Sequence, residues 1–568
     1  MMNRYKADDF DIEKLGSFYA PAKTIFRVFS PYYKELYLVI KGHSYQMHKK
    51  GLCFEIALGA DLEGIGYHYE TEDGVSFCDP FAYAAINGES IVVDPRKFIK
   101  EKITMAENKA PVIYECSVRD FSSAPSYCGK YKGKFLSFTE KGLKSPEGLS
   151  IGLDYLKELG ISHLQLLPVF DFDNDKGDYN WGYNPVAYNH VKPAYLNDPD
   201  DPYAYVNELR KTVNVLHENG IRVVLDVVFN HVYNRAKNDL GKMLKGHCFR
   251  RKPDGKLAAG TFCGNEVKSE DPFVSAYIVK MVERYLKLFD IDGIRMDLMG
   301  ISDIETVNKI HETLRKRKAD FMVYGEGWNM GDVLAEEERA AIPNAAKMPG
   351  VAMFNDYFRE TLIHYLSGNN SIDEDVKKAL AADENYLSAS QSINYVECHD
   401  DYTFYDRMML YKSEDKIEVN EKRTRMALAM IMIAKGLPFI HAGQEFLRTK
   451  NGVRNSYNSG DEVNMLDWKR RDKYAGSCTY LKQLIEIRNK YQSLSDENSK
   501  MSFLCFEGCI ACQNEELLII INPTGADQLF NNGHPHEMIF DHSGSCFFKG
   551  FAIPVCAYSV VICRNNVV

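Results

Sequence analysis

Four short stretches set acidic, imidazole and guanidinium side chains at the ends of apolar runs: Asp226-Val-Val-Phe-Asn-His231, Arg295-Met-Asp297, Glu326, and His399-Asp400. No serine or cysteine nucleophile motif, metal-ligand cluster or phosphate-cradling glycine loop accompanies them. Carboxylates by themselves suffice for glycoside hydrolysis, in which one attacks the anomeric carbon and the other protonates the leaving oxygen. A separation of about 5–5.5 Å gives retention of configuration. Arg295 lies two residues before Asp297, so on a strand both side chains share a face, and the guanidinium favours an ionised, nucleophilic aspartate. Glu326 is followed closely by Trp328, and a partly apolar setting raises a carboxyl pKa and suits it to hold the proton. A lone acid at a strand end is commonly a helix cap. Several aimed at one rim crowd like charges and sacrifice stability unless a reaction requires them.

Such a rim needs strands to build it. After about residue 106 short apolar runs alternate with longer amphipathic stretches, the pattern of βα units around a parallel sheet. Eight strands are predicted, at Val112–Val118, His163–Val169, Arg222–Phe229, Gly293–Leu298, Met322–Glu326, Gly350–Asn355, Ile393–Cys398 and Leu437–Ala442, with helices such as Tyr203–Asn219 and Ser275–Phe289 between them. Eight such units make an α/β fold, a (β/α)8 TIM barrel, whose active site lies on the loops after the strands. The longest of these loops are 171–202 and 230–271. Alternating runs such as Thr24–Phe29 and Glu35–Ile40 predict an N-terminal β-sandwich over residues 1–105. The barrel then spans 106–496, and runs such as Leu517–Ile521 and Ala557–Ile562 predict a C-terminal β-sandwich over 497–568.

Composition narrows the partners. Hydrophobic residues at 45% and charged residues at 26% are globular values, and the net charge of −10 with no long basic run speaks against nucleic acid. No apolar run reaches the roughly 18 residues of a membrane span, and the first residues lack the apolar core of a secretory leader; a cytoplasmic location is the expectation. The 14 cysteines are too sparse for a disulfide scaffold. Cys509-Ile-Ala-Cys512 has the spacing of half a zinc site, but no second pair follows. No cofactor or metal is expected, since no acidic loop with calcium spacing is evident. The oligomeric state is not encoded in any pattern here.

The segments Asp226–His231, Gly293-Ile-Arg-Met-Asp297, Gly325-Glu-Gly-Trp328 and Tyr395-Val-Glu-Cys-His-Asp400 resemble, in order and placement, the four signature regions of the α-amylase family, glycoside hydrolase family 13. Within it, Tyr179-Asn-Trp-Gly-Tyr-Asn-Pro185 and His441-Ala-Gly-Gln-Glu-Phe-Leu-Arg-Thr-Lys-Asn451 resemble the signatures of type I pullulanases, the α-glucan debranching group. The resemblance covers most of the chain from about Gly16 and implies Asp297 as nucleophile, Glu326 as general acid/base and Asp400 as the third carboxylate, which bonds sugar hydroxyls. It implies Tyr183 as a flat platform under the sugar ring, His231 and His399 as sugar contacts, and Arg295 as the group that orients Asp297. Trp181, Asp226 and Trp328 join them as substrate-binding residues, and the N-terminal sandwich resembles a starch-binding module.

The implied activity is hydrolysis, with retention, of α-1,6-glucosidic branch linkages in pullulan, glycogen and amylopectin limit dextrins and branched maltooligosaccharides. The alternatives are an α-1,4-acting amylase or neopullulanase-like hydrolase, a branching transferase, and a non-catalytic glucan-binding protein. Three positions depart from the family pattern: Ser117, where a histidine is usual; Asp401, in place of asparagine; and Glu266, in place of aspartate. Asp401 is expected to load Asp400 with a second negative charge.

Overall fold

The computed structural model describes residues 5–565 apart from 106–109, 175–176, 264, 332 and 384–386. Strands β1 (Ile113–Cys116), β2 (His163–Leu166), β3 (Arg222–Val227), β4 (Gly293–Met296), β5 (Met322–Gly325), β6 (Val351–Phe354), β7 (Ser392–Asn394) and β8 (Leu437–His441) pair in that order, and β8 returns to β1 in parallel. All eight predicted strands are present. Each ends earlier than its apolar run, because the chain leaves the hydrogen-bond ladder where the rim loops begin.

The period-two alternation of a strand sorts the side chains. Ile113, Val224, Tyr324, Ala352, Phe354, Ile393 and Phe439 fill the barrel, while Tyr114, Leu164, Val223, Leu225, Ile294 and Val323 face the surrounding helices. Burial on both faces gives each strand a near-continuous apolar run, and each fully buried Leu, Ile or Phe contributes about 1.5–3 kcal/mol. The same parity puts Glu115, Gln165, Asp226, Arg295 and Glu326 on the inner row.

The helices follow their caps. Asp271 accepts hydrogen bonds from Phe273 and Val274 N–H at 3.0 and 3.3 Å, Pro272 takes the first turn, and the helix Pro272–Phe289 stops at Asp290, φ 61°. The helix Ala204–Glu218 precedes β3.

Two flanking β units pack on the barrel. The N-terminal one has two antiparallel sheets, one of four strands that includes Lys23–Phe29 and one that includes Leu36–Ile40. It is fastened to the helix Pro272–Phe289 by Phe29 stacked on Phe273 at 4.3 Å, by the Tyr277 hydroxyl donating to Pro80 O at 3.0 Å, and by the Tyr5 hydroxyl donating to Asp271 at 2.8 Å. Its predicted end at residue 105 abuts 106–109, which lie outside the described residues. The C-terminal unit is lopsided for a sandwich: six antiparallel strands on one side and the two-stranded ribbon Gln528–Phe530/Ile553–Val555 on the other. Leu518, Ile520 and Val561 pack under the ribbon, and Ile519, Ile521 and Val560 join the barrel core. Cys509 and Cys512 lie buried in the strand Cys509–Gln513. Among the described residues no group of three or more His, Cys, Asp or Glu is placed to hold a metal, and no helix is long and apolar enough to cross a membrane.

Candidate active site

One guanidinium organises the rim. Arg295, fully buried on the inner row of β4, donates from Nη1 to both oxygens of Asp226 at 3.0 and 2.9 Å and to Asp297 Oδ1 at 3.1 Å, and from Nη2 to Glu326 Oε1 at 2.5 Å. A charge so buried persists only when paired and hydrogen-bonded, and here three carboxylates from β3, β4 and β5 share it. Asn230 completes the support of Asp297: its Nδ2 donates to Asp297 Oδ2 and to the Asp297 carbonyl, both at 2.7 Å, and its Oδ1 faces His231 Nδ1 at 2.6 Å. The Asn230 amide is therefore engaged with the carboxylate and the imidazole, an arrangement that does not fit a calcium ligand.

Glu326 is held from its other side. Leu298 N–H donates to Glu326 Oε2 at 3.0 Å, and that N–H is aimed by a left-handed backbone at Leu298, φ 39°, strain of the kind that collects at functional sites. The chain then passes under the Glu326 loop so closely that a Cβ on Gly300 would lie 1.9 Å from Trp328 O; only glycine fits there. Burial pushes the Glu326 carboxyl up to about 8, opposed by Arg295 and reinforced by Asp297 and Asp400. Asp226, fully buried beneath, is raised to about 6, mainly by burial.

The third cluster centres on His399. Its backbone N–H and Nδ1 meet the two oxygens of Glu115 at 2.7 and 2.8 Å, and Glu115 also accepts from Gln165 Nε2 at 3.0 Å, while Gln165 Oε1 accepts from the Tyr324 hydroxyl at 2.6 Å. Burial pulls the imidazole down, yet Glu115 and Asp400 bring it up to about 9. Tyr183 lies stacked on His399 at 4.8 Å and donates to Asp226 Oδ2 at 2.6 Å. Trp181 packs edge-on against His399 at 5.2 Å, with its indole N–H on Asn464 Oδ1 at 3.2 Å. A cleft of about 320 Å³ opens beside this segment, lined by Arg119, Phe172, Asn174, Asn180, Lys192 and Tyr195.

The ten predicted residues thus converge, in two tiers. Asp400, whose side chain is 56% exposed, and Tyr183 and Trp328, both half-buried, present an open face, with Asp297 and Glu326 nearly buried beside them. Asp226, Arg295, Trp181, His231 and His399 lie behind it. Both nitrogens of His231 face protein oxygens, Asn230 Oδ1 at 2.6 Å and Tyr183 O at 3.1 Å, which ties it to Asn230 and Tyr183. Asp401 does not load Asp400: Arg407 and Arg454 bind it at 2.8 and 3.0 Å and hold its carboxyl below the ordinary range against the effect of burial. Ser117 caps the short helix Val118–Ser123, and Trp468 is core, its indole donating to Phe121 O at 3.1 Å.

Sequence reasoning missed Glu115 and Lys450. Glu115 left a signal, a carboxylate on an inner row that otherwise reads apolar. Lys450 lies buried with its ammonium on the His399 carbonyl and 4.7 Å from the Trp181 ring, and burial lowers it to about 8.

A family model described as the α-amylase catalytic domain matches residues 131–239. The pullulanase of Bacillus subtilis strain 168 is 35% identical over 583 aligned positions, spanning 94% of this chain and 81% of that protein. The chain belongs to the pullulanase family. The fold agrees over its length: a pullulanase from Anoxybacillus sp. LM18-11, solved with maltotetraose, superposes with a TM-score of 0.94 at 32% identity, covering 99% of this chain and 89% of that one. The Bacillus subtilis type I pullulanase, solved with maltose, gives 0.92 at 32% identity over 98% and 86%. The likeness spans the barrel and both of its sheet-rich flanks.

Proposed function

We propose that this pullulanase-family glycosidase cleaves α-1,6-glucosidic branch linkages in pullulan, in glycogen and amylopectin limit dextrins and in branched maltooligosaccharides, with retention at the anomeric carbon. Asp297, braced by Arg295 and Asn230, attacks the anomeric carbon as Glu326 gives its proton to the departing O6. Glu326 then takes a proton from the water that releases the sugar. Asp400, exposed above His399, receives sugar hydroxyls, and Tyr183 carries the apolar face of the ring. The observation that carries the reading is the sharing of Arg295 among Asp226, Asp297 and Glu326, which fixes two reacting carboxylates with opposite protonation needs around one charge. Fourteen free thiols suit a reducing compartment, and the cytoplasm is the location we propose.

Incubation with pullulan, followed by chromatography, tests the linkage. Maltotriose is the expected main product; panose or isopanose would mean that α-1,4 bonds are cut instead. A second test follows from Glu326. Its acid form exists below its pKa, so kcat/KM is expected to hold through neutral pH and to fall as pH rises through about 8. An alkaline limb near pH 5 would contradict an acid raised by burial.

A further inference from the structure

Phe262 is the most exposed large apolar side chain among the described residues, at 88%, well beyond the 75% of Phe547 in the C-terminal unit. It also stands in the left-handed region, φ 58°, which an aromatic side chain adopts only at a cost in stability. An exposed, strained phenylalanine contributes neither packing nor favourable backbone energy, so its presence calls for another reason.

The residues around it are tied to the loops that follow β3 and β5. Phe262 N–H closes a turn on Ala259 O at 3.0 Å. Three residues later Asn265–Glu266 pairs antiparallel with His231–Val232, with Glu266 opposite His231. Buried Glu266 takes Gly260 N–H at 2.9 Å and the Arg250 guanidinium, which also reaches Ile301 O at 3.0 Å. Gly260 touches the loop after β5 so closely that a Cβ there would lie 2.5 Å from Gly331 Cα. The neighbouring Cys263 thiol is pushed up to about 11, first by burial and then by the charges of Asp297, Asp400 and Glu326, which places the loop within their field.

The side of the site is also fixed. Glu326 protonates the oxygen that leaves with the departing chain, so that chain lies on the Glu326 side. The Phe262 loop abuts Gly331, five residues beyond Glu326, whereas Tyr183, Trp181 and His399 gather toward β1 and β7. We propose that Phe262 is a specificity-determining platform for the departing α-glucan chain, stacking its ring on the apolar C–H face of a glucosyl residue beyond the scissile bond. The inference rests on the glycosidase reading above and adds the residue that grips the leaving chain. A phenyl ring offers an apolar face and no hydrogen bond, which suits a sugar whose hydroxyls stay in water.

The test compares two substrates. Pullulan departs as a glucan chain; α-maltotriosyl fluoride departs as fluoride and leaves the departing-chain side empty. Phe262→Ala and Phe262→Gly are expected to lower kcat/KM on pullulan about tenfold, Phe262→Tyr to retain it, and all three to hydrolyse the fluoride at the wild-type rate. Phe262→Gly, relieved of the left-handed strain, should melt no lower than wild type. An unchanged kcat/KM on pullulan overturns the proposal, as does a proportional loss on the fluoride, which would make Phe262 structural. If the wild-type enzyme turns over the fluoride but releases no maltotriose from pullulan, the linkage reading has failed; the comparison is then run with maltoheptaose, whose leaving group is also a glucan, and the same split decides for or against Phe262.

Discussion

Glu326→Gln is expected to lower kcat on pullulan by about 10²- to 10⁴-fold, the usual worth of a positioned general acid, with the fold intact by circular dichroism. The loss has two parts. Glutamine has no proton of suitable acidity to give. It also offers one oxygen and one NH2 where the carboxyl group offers two oxygens that can each accept, and both neighbours, Arg295 Nη2 at 2.5 Å and Leu298 N at 3.0 Å, are donors. One donor must therefore face a donor, a mismatch of about 1–3 kcal/mol in a buried site. The diagnostic substrate is again α-maltotriosyl fluoride, since fluoride leaves without a proton. Attack by Asp297 should proceed, while release, which needs Glu326 as base, should stall. The maltotriosyl group should accumulate on the protein and, after proteolysis, be found on the peptide carrying Asp297 by mass spectrometry. Full turnover of pullulan by the variant would remove Glu326 from the mechanism, and an adduct on another residue would remove Asp297.

The carboxylates of the rim were readable because two rules of strand geometry meet there. Strands buried on both faces write themselves as apolar runs such as Val223-Val-Leu225, and a charge that interrupts the run near its end, as Asp226 or Arg295 does, marks the rim. What the sequence hides is adjacency between distant elements. Nothing near Glu115 says that its partner is His399, 284 residues away; that follows only once the barrel closes and the inner rows of β1 and β7 meet. The charge of Asp401 looked like a burden on Asp400 until the fold brought Arg407 and Arg454 to it. Nothing beside His231 in the chain says that it reaches back to the Tyr183 carbonyl. Phe262 and Lys450 sit in loops, where periodicity carries no information, and their roles depend on which loops touch.

Glu115→Gln probes the adjacency that the sequence concealed, and its expected effect is next in size. In the native enzyme burial works against a charged His399, and Glu115, with Asp400, outweighs it and raises the imidazole to about 9. His399 is thus an imidazolium at neutral pH, stacked on Tyr183 and beside Asp400. With the Glu115 charge removed, burial prevails and the imidazole becomes neutral near pH 7. Loss of a charge-assisted bond of about 1.5–3 kcal/mol is expected to lower kcat/KM by about 10- to 100-fold at pH 7. The deficit should shrink as pH falls and His399 regains its proton, so the variant gains activity toward acid where the wild type is flat. The stability gap runs the other way with pH. A histidine whose folded pKa, about 9, exceeds its reference value of 6.5 stabilises the fold fully below about pH 6.5 and loses that contribution as pH rises through about 9. The melting temperature of the wild type should therefore exceed that of Glu115→Gln most clearly below pH 6.5, with the gap narrowing above pH 9. Parallel pH profiles of kcat/KM and of melting temperature in the two proteins would show that Glu115 positions His399 by shape alone and that the charge plays no part.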